Sequence, residues 1–420
     1  MQENKYLGIL GIPRRGGLGY GRRGAAPIIV VAALTWASGA AASTDKPIHV
    51  FTGTAAGAYP TRNMIFDAAG NLYGTTFKGG ADDYGVVFKL KPNRNGTWTE
   101  SVLHSFAGAD GANPAAGLVF DAAGDLYGTT AFGGADGVGT IFELKPNPNG
   151  TWAESVLYSF TGGADGREPS AGLIFDAAGN LYGTTLEGGT IGYGVVFKLA
   201  PNADGTWTES VLHSFTDADG GFPQAGLIFD TAGNLYGTTL EGGGLAGSYG
   251  VVFKLAPNPD GTWTESVLHS FGGPDGGQVD AGLIFDAVGN VYGTTSDGGS
   301  TVCPGGCGVV FKLAPNRGGT WTESVLHSFI GTDGEGPAAG LIFDAAGNLY
   351  GTTNLGGPHG DGVVFKLMPT LRGWTERVIL SFGGLGSNPL ASVIFDSAGN
   401  LYGTTSSGRN NNGLVFEITP

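Results

Sequence analysis

The sequence predicts an all-β, seven-bladed β-propeller with four antiparallel strands per blade, and three observations carry that prediction. The string FDAAGNLYGTT, beginning at Phe175, recurs in near-identical form from Phe66, Phe120, Phe229, Phe285, Phe343 and Phe395. The tyrosine of its YGTT falls at Tyr73, Tyr127, Tyr182, Tyr236, Tyr292, Tyr350 and Tyr402, in steps of 52 to 58 residues. That is the spacing of multi-stranded propeller blades. Glycine accounts for 80 of 420 residues with no Gly-X-Y period, while 41% of the chain is apolar. This balance suits short strands joined by tight turns, and it excludes both collagen and a disordered glycine-rich chain.

Residues 1–42 read as a secretory leader. Arg14, Arg15, Arg22 and Arg23 precede the apolar run Ala25–Trp36, and small residues follow, with cleavage expected after Ala42. The apolar run is too short to cross a bilayer, which needs about 20 helical residues. The remainder, 43–420, is then a single propeller domain with no stable membrane insertion. The leader carries Lys5 and the four arginines against Glu3, a net +4, so the whole-chain charge of −15 becomes −19 without it. So acidic a chain repels phosphate backbones, and nucleic acid is excluded as a partner.

The third unit shows the strand order. Strand A is expected at Ala171–Asp176 (AGLIFD), nearly all apolar as if buried on both faces, and a turn at AAGN leads to strand B, Leu181–Thr185. A glycine-rich loop leads to strand C, Gly194–Pro201. After NADGT comes strand D, Trp207–Phe215, whose alternation suits the rim. Strands A to C occur seven times but strand D only six, because the chain stops just after GLVFEITP. The missing strand is PIHVF (Pro47–Phe51), where His49 and Phe51 match the His and Phe of SVLHSF. The N-terminal strand is therefore expected to complete the last blade and close the ring, which leaves no open end.

The recurring FDAAGNLYGTT, GVVFKLAPN and GTWTESVLHSF resemble the Gloeo/Verruco-type (choice-of-anchor) tandem repeat of bacterial secreted proteins, over essentially 47–420. The resemblance implies a β-propeller-like fold and an exported protein, either secreted or in the periplasm or cell envelope. It implies no activity. Many members carry a C-terminal sorting segment, and none is read here, so attachment by that route is not expected.

The repeated polar residues have architectural readings. Asp67, Asp121, Asp176, Asp230, Asp286, Asp344 and Asp396 open the A–B turn, where a carboxylate accepts backbone N–H groups two or more residues on. Trp98, Trp152, Trp207, Trp263, Trp321 and Trp374 begin strand D and are expected to pack between blades. His49, His104, His213, His269 and His327 fall on different blades and read as packing positions. Cys303 and Cys307, the only cysteines, are expected to form a local disulfide in an exported protein. The weaker alternative is a metal site with His359 and Asp361 of the next blade's loop. TDADGG (Thr216–Gly221) is a fragment of a calcium loop without its remaining ligands. No cofactor is expected, with calcium the one weak alternative, and no phosphate-binding loop or nucleophile elbow is present.

Function is sought where the copies differ. The A–B and C–D turns barely change, whereas the B–C loops and D–A connections, on the opposite face, vary. The pattern-breaking residues there are Asp82, Asp83, Tyr84, Arg167, Glu168, Glu187, Tyr193, Asp217, Asp219, Phe222, Glu241, Tyr249, Asp297, His359 and Asp361. Acidic groups interleaved with aromatics suit a sugar or a cation. The reading is a monomeric scaffold or binding module for a glycan or protein. The alternatives are a carbohydrate-active lyase or glycosidase on the same scaffold, and a purely structural envelope protein. An enzyme would need single-copy polar residues converging near the axis, and the inner strands read as almost unchanged repeats.

Overall fold

The computed structural model describes residues 44–60, 62–244, 249–384, 386–408 and 411–419, and the predicted leader lies outside them. Seven four-stranded antiparallel sheets succeed one another along the chain. In the third, Ile174–Phe175, Leu181–Thr185, Val195–Pro201 and Trp207–Ser214 pair in order. In the seventh, Ile394–Phe395, Leu401–Thr405 and Leu414–Thr419 are joined by Thr44–Val50, with Val50 opposite Leu414 and Thr44 opposite Thr419. The N-terminal strand thus completes the last blade, as expected.

The apolar core is divided into seven clusters, each shared by two successive blades. Phe160 meets Phe197 of the following blade edge-on at 5.3 Å, and Phe51 of the closing strand meets Phe88 of the first blade in the same way at 5.1 Å. Trp152 packs against Tyr73 of the preceding blade at 6.3 Å, and Trp98 against Tyr402 of the seventh blade at 5.9 Å. The ring is therefore held by repeated aromatic contacts, including those across its closure.

These contacts explain the invariant glycine of LYGTT. A Cβ on Gly183 would lie 2.7 Å from Cζ of Phe197, so the phenyl ring needs the bare backbone. The A–B turns are built as expected. Asp67 Oδ1 accepts the backbone N–H groups of Ala69 and Asn71, both at 2.9 Å, and its Oδ2 accepts Asn71 Nδ2 at 2.6 Å and the Tyr73 hydroxyl at 3.0 Å.

Strand A departs from expectation. It pairs over only two residues, and these are half-buried. Upstream of them the backbone is bonded sideways: the Thr129 hydroxyl of the preceding blade donates to the Ala171 carbonyl at 3.2 Å. The same bond is made by Thr75, Thr184, Thr238, Thr294 and Thr352 to the next blade's alanine. The segment before strand A is thereby committed to its neighbour and to the wall of an axial cavity.

Candidate functional site

The D–A connection carries the chain from the rim of one blade to the axis of the next, across the variable face. In the third blade Glu168 N–H donates to the Val138 carbonyl of the previous blade's B–C loop at 2.9 Å. Arg167 and Glu187 exchange backbone bonds within the blade at 2.8 and 3.2 Å, and Leu186 N–H donates to Glu168 O at 3.0 Å. Each connection so stitches two B–C loops together. Gly188 is needed here, because a Cβ would meet Gly166 Cα at 2.5 Å.

The stitch holds one residue per blade in the left-handed region: Tyr59, Asn113, Glu168, Phe222, Gln278 and Asn388 at φ between +55° and +57°, with Gly336 at +63° in the sixth blade. Six of the seven carry a side chain in a conformation that glycine adopts most easily. The next residue but one then points to the axis. Those positions hold Ala115, Ser170, Gln224, Asp280, Ala338 and Leu390, and the ring one residue further in holds alanine six times and Arg62 once.

These residues line a cavity of about 400 Å³ on the axis, walled by the segments that lead into strand A, Ala-Gly-Leu-Ile in four of the seven blades. Its mouth on the variable face, about 380 Å³, is lined by Arg62, Glu168, Ser170, Gln224 and Asp280 among apolar side chains. Single-copy polar groups therefore do converge at the axis, contrary to the expectation of an unvaried centre. The signal was legible: Arg62 stands where every other copy has alanine, and Asn63 where five have glycine.

Arg62 is anchored by Nε, which donates to the Ala115 carbonyl at 2.8 Å. Asn63 Oδ1 accepts Ser392 N–H of the seventh blade at 2.8 Å. Asp280 Oδ1 is buried and, among the described residues, has no hydrogen-bond partner. Burial pushes the Asp280 carboxyl up to about 7, with Arg62 opposing the rise and Asp297 adding to it. Burial also lowers the Arg62 guanidinium, which Asp280 opposes. The two attract each other, yet no ion pair within 4.0 Å joins them. Glu168 is raised by burial and then by Glu187, against the pull of Arg167.

Of the residues singled out from the sequence, only Glu168 lines the mouth. The Arg167 side chain pairs with Glu187, and Tyr193 packs on Phe222 with ring centroids 5.4 Å apart. The carbonyls of Tyr84, Tyr193, Tyr249 and Asp361 all accept the stitching N–H of the following connection. Glu241 and Asp297 bridge to Gly221 and Gly277 within their own blades. Asp83 Oδ1 caps Gly79 N–H at 2.8 Å, and Asp82 is exposed. The His359 ring packs where a Cβ on Gly383 would stand, 2.8 Å away. Cys303 and Cys307 form a disulfide, which removes both as metal ligands.

The calcium-loop fragment is an ordinary turn: Asp219 takes Thr216 N–H at 2.8 Å and His213 Nε2 at 3.0 Å, and the Asp217 backbone bonds Gly220 and Gly243. The strand D histidines pack on phenylalanine as expected, His104 on Phe106 at 4.8 Å, and His104, His213, His269 and His327 also bind the connection's aspartate. His104, Asp110 and Glu154 bring ligand atoms within 4.8 Å of one another, the one such group among the described residues.

The chain belongs to the Gloeobacter/Verrucomicrobia repeat family, whose model matches residues 36–248 and 243–420. No curated protein matches it. Among solved structures it is similar to the extracellular domain of a B. thetaiotaomicron protein described as a hybrid two-component system. The TM-score is 0.54 at 11% identity, over 88% of this chain and 39% of that one. It is also similar to a Bacteroides uniformis protein described as a 6-phosphogluconolactonase, with TM-score 0.52 at 15% identity, over 82% of this chain and 90% of that one. At these identities the likeness is one of fold. No helix among the described residues is long and apolar enough to cross a membrane.

Proposed function

We propose that this chain is an exported propeller scaffold that binds a glycan on its variable face, with one saccharide unit entering the axial mouth. The observation that carries this reading is the set of single-copy polar side chains, Arg62, Ser170, Gln224 and Asp280, in rings otherwise made of small and apolar residues. Walls of alanine, glycine, leucine and isoleucine suit the C–H faces of a sugar, and a few convergent polar groups suit its hydroxyls. The test is binding of residues 43–420 to a broad glycan array, with calcium and then with chelator. Selective binding is expected in both conditions, since the acidic turns are occupied by their own hydrogen bonds. Silence in both would overturn the reading and leave a protein partner or a structural role.

An enzymatic reading draws on the same mouth, because Asp280 and Glu168 are two carboxyls with raised pKa values in one cavity. Incubating the bound glycans with the protein and assaying new reducing ends tests it. Release would make the module an enzyme, and no release would leave it a binder.

A further inference from the structure

Resting on that reading, the structure also points to the chemical class of the ligand. We propose that the axial mouth is a site for a hexuronate unit, with the Arg62 guanidinium holding its carboxylate and Asp280 accepting its hydroxyls. Three observations lead there. Arg62 replaces alanine at one of seven equivalent positions, and its Nε is tied to Ala115 O at 2.8 Å. That bond fixes the plane of the guanidinium and, among the described residues, leaves the terminal nitrogens without a protein acceptor. An anchored guanidinium with two free parallel donors is the geometry that a carboxylate fits bidentately.

Asp280, in the fifth blade, lines the same cavity with a buried Oδ1 that no described residue satisfies. A buried acceptor left unpaired costs on the order of 1–3 kcal/mol, so a ligand hydroxyl that pairs it gains accordingly. Arg62 and Asp280 both line the cavity but do not close on each other within 4.0 Å, so guanidinium and carboxyl each face the cavity separately. The ligand therefore carries a negative group at one end and hydrogen-bond donors at the other.

The remaining polar side chains select among such ligands. Ser170 and Gln224 are neutral and stand between the two charges around the ring, as suits several hydroxyls. Glu168 adds a further carboxyl at the rim, which disfavours a dianionic phosphate and leaves a monoanion the better match. A cavity of about 400 Å³ is of the size that takes a small ligand of this kind.

The experiment is titration calorimetry of residues 43–420 with oligogalacturonate and oligoglucuronate. The arms are their methyl esters, the neutral oligosaccharides of the same linkage, and alanine as a small zwitterion. Uronates are expected to bind about tenfold or more tighter than their esters or the neutral sugars. Arg62→Gln is expected to erase that preference, Arg62→Lys to retain only part of it, and Asp280→Asn to weaken uronates while keeping the order of ligands. Circular dichroism melting establishes that each variant folds, and the ester arm tests the carboxylate in the unaltered protein. Equal binding of acid, ester and neutral sugar, with Arg62→Gln unchanged, would overturn the uronate assignment and leave glycan binding standing. Preference for alanine over every sugar, or no saccharide binding at all, would overturn both.

Discussion

Replacing Glu209 by glutamine isolates a feature that the fold repeats at six blade interfaces. Glu209 lies on strand D of the third blade, beside Asp165 of the incoming connection. Asp165 is itself bonded by the Tyr158 hydroxyl at 3.1 Å and by Thr161 N–H at 2.8 Å. Glu209 Oε1 is buried with no partner among the described residues, and burial, then the Asp165 charge, push its carboxyl from 4.5 up to about 7. At 1.36 kcal/mol per pKa unit this corresponds to about 3 kcal/mol, which screening of a partly exposed group cuts to about 1–2 kcal/mol.

The folded pKa lies above the unfolded one. The cost is therefore absent below about pH 4.5, grows between about 4.5 and 7, and is complete above 7. Urea unfolding followed by tryptophan fluorescence, at about pH 4.5 and about pH 8, measures it. Glu209→Gln should match the parent at the lower pH and exceed it by about 1–2 kcal/mol at the higher. An equal difference at both pH values, or a variant less stable at pH 8, would refute the reasoning. Glu100, Glu154, Glu265, Glu323 and Glu376 share the raised pKa and the unpartnered Oε1. Glu209 is the clean case because Tyr158 stands where His104, His213, His269 and His327 stand in other blades. At Glu100 the neighbouring His49, lowered by burial to about 4, titrates with the opposite sign.

Three more perturbations test other parts of the account. Deleting residues 44–51 removes Ile48 and Phe51 from the cluster that joins the seventh blade to the first. It should cost roughly 5 kcal/mol or more in a thermal melt, and a truncated protein that melts like the parent would contradict closure by this strand. Asp176→Ala removes the acceptor for Ala178 N–H, Asn180 N–H, Asn180 Nδ2 and the Tyr182 hydroxyl. It should cost about 2–3 kcal/mol near neutral pH. Those bonds outweigh burial and hold the Asp176 carboxyl below 3.8, so its contribution is lost as pH falls below that value, and parent and variant should converge in acid denaturation. Gly183→Ala places a methyl 2.7 Å from Phe197 Cζ and should cost about 1–3 kcal/mol by urea unfolding, which Phe197→Leu in the same chain should partly restore.

The blade count, the strand order and the closing strand were all legible in the chain, because each rests on a local pattern written seven times. Asp176, Gly179 and Tyr182 lie within one turn and the strand that follows it, so their chemistry can be read without knowing what surrounds them. The varied face was legible too, and the structure adds the backbone role that part of it plays. Tyr84, Tyr193, Tyr249 and Asp361 share one position whose carbonyl ties the next connection, and their side chains change because only the backbone bond is required there.

What the sequence determined by itself was the repeating unit, since hydrophobic alternation, turn residues and a fixed period are properties of neighbours along the chain. What only the tertiary structure decided was which exceptions meet. Arg62 opens the first blade and Asp280 the fifth, 218 residues apart, and the repeat marks each as an exception without saying that they meet. They share one cavity because seven right-sized blades close around an axis and each blade turns residues three and four before its inner strand toward that axis. The strand D glutamates went unnoticed for the same reason: each is an ordinary rim residue of its own blade, and its pKa is set by burial together with the charges of the blade beside it.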